Sequence, residues 1–157
     1  MEAANRGAKD AGGRTIGLNI GLPHEQRPNS YLDPDLAFEF HYFFMRKLWF
    51  AHLARAAIVF PGGFGTLDEM FELLMLRQTR KLDRDICILL YGSKYWSEVI
   101  NFPALARRSV IDPTDLELMH TVDTPAQALA CLQQHVCLEP EGRCPAIAKS
   151  VTSQREP

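Results

Sequence analysis

Ala56-Ala57-Ile58-Val59-Phe60-Pro61-Gly62-Gly63-Phe64-Gly65-Thr66-Leu67-Asp68-Glu69-Met70-Phe71 is the stretch on which the fold turns. Its first five residues form a short apolar run of the kind expected for a strand buried on both faces of a parallel sheet. Three glycines follow within four positions. Then Leu67, Met70, Phe71, Leu74 and Gln78 recur at i, i+3, i+4, i+7 spacing with only the last polar, which predicts an amphipathic helix from Thr66 to about Arg80. Strand, glycine turn and helix in immediate succession are the opening of a parallel α/β unit.

Downstream the pattern repeats. Ile86 to Leu90 reads as a second buried strand, and Ser93 to about Arg107 as helix interrupted at Asn101-Phe102-Pro103. Glu117 to Val122 reads as a short strand. Thr124-Pro125-Ala126-Gln127 is a capping-box pattern with Pro at the first helical position, opening a helix to about Val136. Upstream, Glu2 to Ala11 reads as a short helix stopped at Gly12-Gly13, Thr15 to Ile20 and Leu36 to Tyr42 as strands, and Phe43 to Arg55 as a helix. A polar, proline-bearing loop with Pro23, Pro28, Asn29 and Pro34 separates the two strands. This alternation predicts a Rossmann-like α/β fold, a mostly parallel sheet with helices on both faces, whose ligands sit beyond the carboxyl ends of the strands. The glycine loop lies at such an end.

With 157 residues, 46% of them apolar, the chain suits one ordinary domain, taken here as residues 1–138, with a polar and aperiodic tail, 139–157, expected to be disordered. A net charge of -2 and a pI near 6.2 give no basic face for nucleic acid. No apolar run reaches the roughly 18 residues of a membrane span and no targeting leader is visible, so a soluble, cytoplasmic protein is expected. Cys87, Cys131, Cys137 and Cys144 match neither zinc knuckles nor a redox pair and are read as free thiols. The histidines are scattered without a ligand motif, and no metal is expected.

Glycines 62, 63 and 65 let backbone N–H groups approach an anion, the helix dipole adds attraction, and Thr66 offers a hydroxyl donor. A phosphate is the natural ligand, although a tight strand-to-helix turn would use the same residues. No Gly-Lys-Ser/Thr follows, which excludes a Walker loop. Glu69 has two readings, a catalytic acid beside that loop or the acid of a Thr66-x-x-Glu69 capping box. In Phe43 to Ala51 two cations, Arg46 and Lys47, interrupt a helix that is apolar nearly all round and is therefore expected to be mostly buried. Cations so placed should meet a carboxylate or a ligand phosphate, unless their stems carry them out to solvent.

Pro61-Gly62-Gly63-Phe64-Gly65-Thr66-Leu67-Asp68-Glu69 stands as a complete P-G-G-x-G-T-x-x-E, preceded by Arg46-Lys47 on a helix. In both features, from roughly Met1 to Val136, the chain resembles the Lonely guy (LOG) family of phosphoribohydrolases, whose members are often labelled lysine decarboxylases. The resemblance implies hydrolysis of the N-glycosidic bond of a nucleoside 5'-monophosphate, AMP or a cytokinin ribotide, to free base and ribose 5-phosphate without a cofactor. It implies Arg46 and Glu69 as the catalytic pair, Lys47, Gly62, Gly63, Gly65 and Thr66 as substrate-binding residues, and a homo-oligomer. Nothing in the residues identifies a pyridoxal-binding lysine, so the decarboxylase label finds no support. The family's earlier G-G-G-x-G-x-M turn and its first strands are missing, and the opening helix has no residue to cap it, so an upstream segment is expected to be absent. A nucleotide-binding module without catalysis, or an inert product whose site does not assemble, would carry the same motifs.

Overall fold

The computed structural model describes residues 2–21, 29–82 and 85–136, so Cys137, Cys144, the tail and most of the first proline loop lie outside the described residues. The architecture is the expected one in kind: parallel sheets flanked by helices. The chain divides after Ala54 into two compact units, each with its own sheet.

In the first unit, helix α1 (Glu2–Asp10) leads to strand β1 (Gly17–Ile20), which pairs in parallel with β2 (Ala37–Phe40), Gly17 opposite Ala37 and Ile20 opposite Phe40. Asp33 fixes the entry to β1. Its carboxylate accepts from the Thr15 N–H at 2.6 Å and from Lys9 Nζ, while the buried Thr15 hydroxyl donates to the Tyr31 carbonyl at 2.6 Å. The Lys9 hydrogen bond, then that from the Thr15 backbone, hold the Asp33 carboxyl below its ordinary value of 3.8, with Arg14 adding attraction. A depressed carboxylate contributes stability that is present above the unfolded value and is lost as pH falls through the folded one. Acid titration followed by amide exchange at Thr15 should therefore show weakening below about pH 4, and Asp33→Asn should remove that component. An unchanged acid profile in the variant would show that Asp33 does not govern it.

Helix α2 (Phe43–Leu53) packs on β1 and β2. The expectation that it would be mostly buried is overturned. Ala51 is its one buried residue, while Phe43, Phe44, Leu48, Trp49, Phe50 and Leu53 are all exposed. A helix apolar around its whole circumference needs partners on every side, and one face of a two-stranded sheet covers a single stripe.

The second unit carries strands β3 (Ala56–Val59), β4 (Cys87–Tyr91) and β5 (His120–Val122) in the order β3-β4-β5, all parallel. Ala56 faces Cys87, Val59 faces Leu90 and Leu89 faces His120. The central strand behaves as its apolar run predicts: Ile86 through Leu90 are fully or almost fully buried. β3 does not. Among the described residues β4 is its single partner, and Ile58 remains 40% exposed, so the strand expected to be buried on both faces is an edge.

Helix α3 (Phe64–Gln78) connects β3 to β4, α4 (Ser93–Val99) and α5 (Phe102–Arg107) follow β4, and α6 (Pro125–His135) follows β5. The interruption at residues 101–103 is a new helix start, with the Asn101 side chain accepting from the Ala104 N–H at 3.0 Å. Glu117 and Leu118, placed in the last strand by sequence, instead end a 3-10 turn, Pro113–Leu118, capped by Asp112 and Asp115. The Thr124–Gln127 capping box forms as read, Gln127 N–H donating to Thr124 Oγ1 at 3.2 Å and Thr124 N–H to Gln127 Oε1 at 3.2 Å. Thr124→Ala should destabilise the chain by about 1 kcal/mol in denaturant titration; no change would mean that the cap is satisfied by solvent.

Candidate functional site

The loop after β3 is shaped by close approach at one glycine and by openness at two others. A Cβ on Gly62 would lie 2.2 Å from Thr66 Oγ1 and 2.8 Å from Thr66 Cβ, so no other residue fits there without moving the start of the helix. At Gly63 and Gly65 a Cβ would meet nothing within 4 Å. Those two glycines therefore leave bare backbone at the N-terminus of a 15-residue helix. Phe64 between them is 92% exposed.

Gly63 is the N-cap of α3, with φ -89 and ψ -151, and its carbonyl accepts from the Leu67 N–H at 3.0 Å. The helix thus begins at Phe64, two residues before the sequence reading, and Thr66 occupies its third position. This overturns the capping-box reading of Glu69: Thr66 is already inside the helix, and the cap is a glycine without a side chain. Glu69 instead sits in the second turn, half-buried, four residues after Gly65 and three after Thr66. Those spacings place it on the helix face that carries the open end of the loop.

A second strand-to-helix junction braces the first. Gly92 adopts φ +93 between β4 and α4, and the Pro61 ring lies 3.5 Å from where a Gly92 Cβ would stand. The Tyr95 hydroxyl of α4 donates to the Gly62 carbonyl at 2.6 Å, and the Phe60 and Tyr91 rings pack 4.9 Å apart. Tyr95 and Gly92 were missed by sequence reasoning. A glycine two residues after the buried run ending in Leu90 was the available signal, since it marks another carboxyl end of the sheet.

Five of the predicted site residues, Gly62, Gly63, Gly65, Thr66 and Glu69, are therefore brought together at one junction in the second unit. Arg46 and Lys47 are half-buried neighbours on α2 in the first unit, where the Arg46 guanidinium lies over the Phe43 ring at 5.7 Å from its centre. Chemically, the junction presents N–H groups that lack intrahelical partners, the positive end of a helix dipole, a hydroxyl and a carboxylate one turn further on. Such a set suits an anionic group joined to a centre that becomes positive during reaction.

Among the described residues no helix is long and apolar enough to cross a membrane. A family model described as "Possible lysine decarboxylase" matches residues 1–132. No curated protein matches the chain.

Proposed function

The chain belongs to the family described as possible lysine decarboxylases, and on that premise we propose that it hydrolyses the N-glycosidic bond of nucleoside 5'-monophosphates of the AMP or cytokinin ribotide type. The observation that carries this reading is the open glycine junction with Glu69 one turn below it on the same helix. A phosphate held at Gly63, Gly65 and Thr66 would leave its ribose over the following turn, since four residues advance the helix by about 6 Å. Cleavage of the bond to the base develops positive charge on that ribose, which a carboxylate stabilises, and Glu69 can also activate the attacking water. From the family resemblance, Arg46 is assigned a catalytic role, neutralising phosphate or assisting the departing base, and Lys47 a substrate-binding one. No cofactor enters the scheme. The assignment departs from the family's descriptive label because nothing in the residues identifies a pyridoxal-binding lysine or its partners.

The proposal includes a cytoplasmic homo-oligomer. The exposed apolar residues of α2 support self-association, since a monomer seldom leaves so many large apolar side chains together in water.

If the phosphate provides much of the recognition, AMP should bind far more tightly than adenosine in titration calorimetry, and incubation with AMP should release adenine and ribose 5-phosphate. Equal affinity for nucleotide and nucleoside would reduce the loop to a turn. Binding of AMP without release of base would leave a nucleotide-binding module and remove the catalytic assignment.

A further inference from the structure

Away from the glycine junction, the second unit gathers three side chains that the sequence spacing gave no reason to connect. Cys87 opens β4, His120 opens β5, and Cys131 lies on α6, which packs across both strands. Their ligand atoms, two sulfurs and one imidazole nitrogen, all lie within 4.8 Å of one another. We propose that Cys87, His120 and Cys131 form a binding site for a single zinc ion that ties α6 to the β4–β5 pair.

The donor set fits that ion. Zinc takes thiolate and imidazole ligands in tetrahedral geometry, with bonds of about 2.3 Å to sulfur and 2.0 to 2.1 Å to nitrogen. Ligand atoms around it stand roughly 3.5 to 3.8 Å apart, so closure needs movements of about 1 Å. His120 and Cys131 are only half-buried and can make that movement, while Cys87, 4% exposed, forms the fixed floor. His135 follows Cys131 by one helical turn and its ring stacks on that of His120 at 4.5 Å between centres, so it steadies the imidazole, and the fourth position is left to water. Two thiols and one imidazole thus converge within one small region.

Burial, and then the neighbouring Cys131, push the Cys87 thiol up to about 11, against a smaller opposing pull from Arg77. Burial, His135 and Arg77 hold His120 below its ordinary value, which favours the neutral imidazole that a metal requires. Both sulfurs are free of disulfides. Mixed soft and borderline donors select zinc over magnesium or calcium, which prefer oxygen.

The test uses the whole chain, stripped with a chelator and kept under a thiol-free reductant, titrated with cobalt as a spectroscopic stand-in for zinc. One equivalent should bind, giving a sulfur-to-cobalt charge-transfer band and the visible bands of a tetrahedral site, both bleached by one equivalent of zinc. Cys131→Ser and His120→Asn should each weaken binding by more than about tenfold. The double variant Cys137→Ser/Cys144→Ser should bind as the parent does. A parent chain with all four thiols titratable and no thiolate–cobalt band overturns the site. So does a band that survives Cys131→Ser and His120→Asn but disappears in the Cys137/Cys144 variant. Should either single variant prove unfolded by circular dichroism, the parent still decides: zinc, and not magnesium, must raise its melting temperature, and equal effects of the two ions count against the proposal.

Discussion

Turnover of AMP should fall roughly a hundredfold or more when Glu69 becomes Gln, with little change in the melting temperature of the chain. Loss of one electrostatic interaction made in the transition state costs about 2.7 to 4 kcal/mol. Gln keeps the volume and the hydrogen-bonding reach of the side chain and removes only its charge, so the half-buried position on α3 is not emptied. Because α3 is capped by Gly63 and not through Glu69, helix formation does not depend on that carboxylate. Arg46→Ala should produce a rate loss of the same order. Arg46 is half-buried with its guanidinium over the Phe43 ring, so its removal also costs packing, and the rate loss is read against the change in melting temperature. Release of adenine at saturating AMP, measured beside thermal unfolding, separates the two effects. Near-normal turnover in both variants would remove the pair from the chemistry.

Legibility in the sequence followed the range over which each signal acts. Ile86 to Leu90 announced a buried strand because an uninterrupted apolar run has nowhere to sit except between two faces, and β4 is buried throughout all but its last residue. Thr124 to Gln127 announced a helix start because both halves of the capping box lie within one turn. The same pattern misled at Thr66 to Glu69. A threonine followed three residues later by a glutamate can stand at the cap or inside the helix, and Gly63 supplies an extended cap with no side-chain signature. Composition also said that α2 was apolar without saying whether any surface existed to cover it, and a two-stranded sheet does not. Ile58 was misjudged for the same reason, since burial of a strand depends on neighbours that its own residues do not specify. The meeting of Cys87, His120 and Cys131 depends on strand register and helix packing together, so it has no short-range trace.

Gly62→Ala and Gly65→Ala should move stability in opposite directions while both weaken AMP binding. At residue 62 the added Cβ meets Thr66 Oγ1 at 2.2 Å and Thr66 Cβ at 2.8 Å. Rotation of the hydroxyl cannot relieve the second clash, so the backbone of the first helical turn must shift. Overpacking of this kind typically costs about 1 to 3 kcal/mol. The Gly62 carbonyl is also held by the Tyr95 hydroxyl at 2.6 Å, so a shift of the loop strains or breaks that bond as well. Gly65 is the reverse case. It lies within the first turn of α3 with nothing within 4 Å of the added methyl, and Ala favours a helix over Gly by about 0.8 to 1.0 kcal/mol. Gly65→Ala should therefore raise the unfolding midpoint. A methyl at that point nevertheless stands over the bare backbone where a phosphate would rest, so AMP affinity should fall even as the fold becomes firmer. The combination is diagnostic, because a plain turn would gain stability with no effect on nucleotide. Denaturant titration and calorimetry on the same preparations decide it: a Gly65→Ala chain that is more stable and binds AMP as tightly as the parent would refute a phosphate seat at the α3 N-terminus.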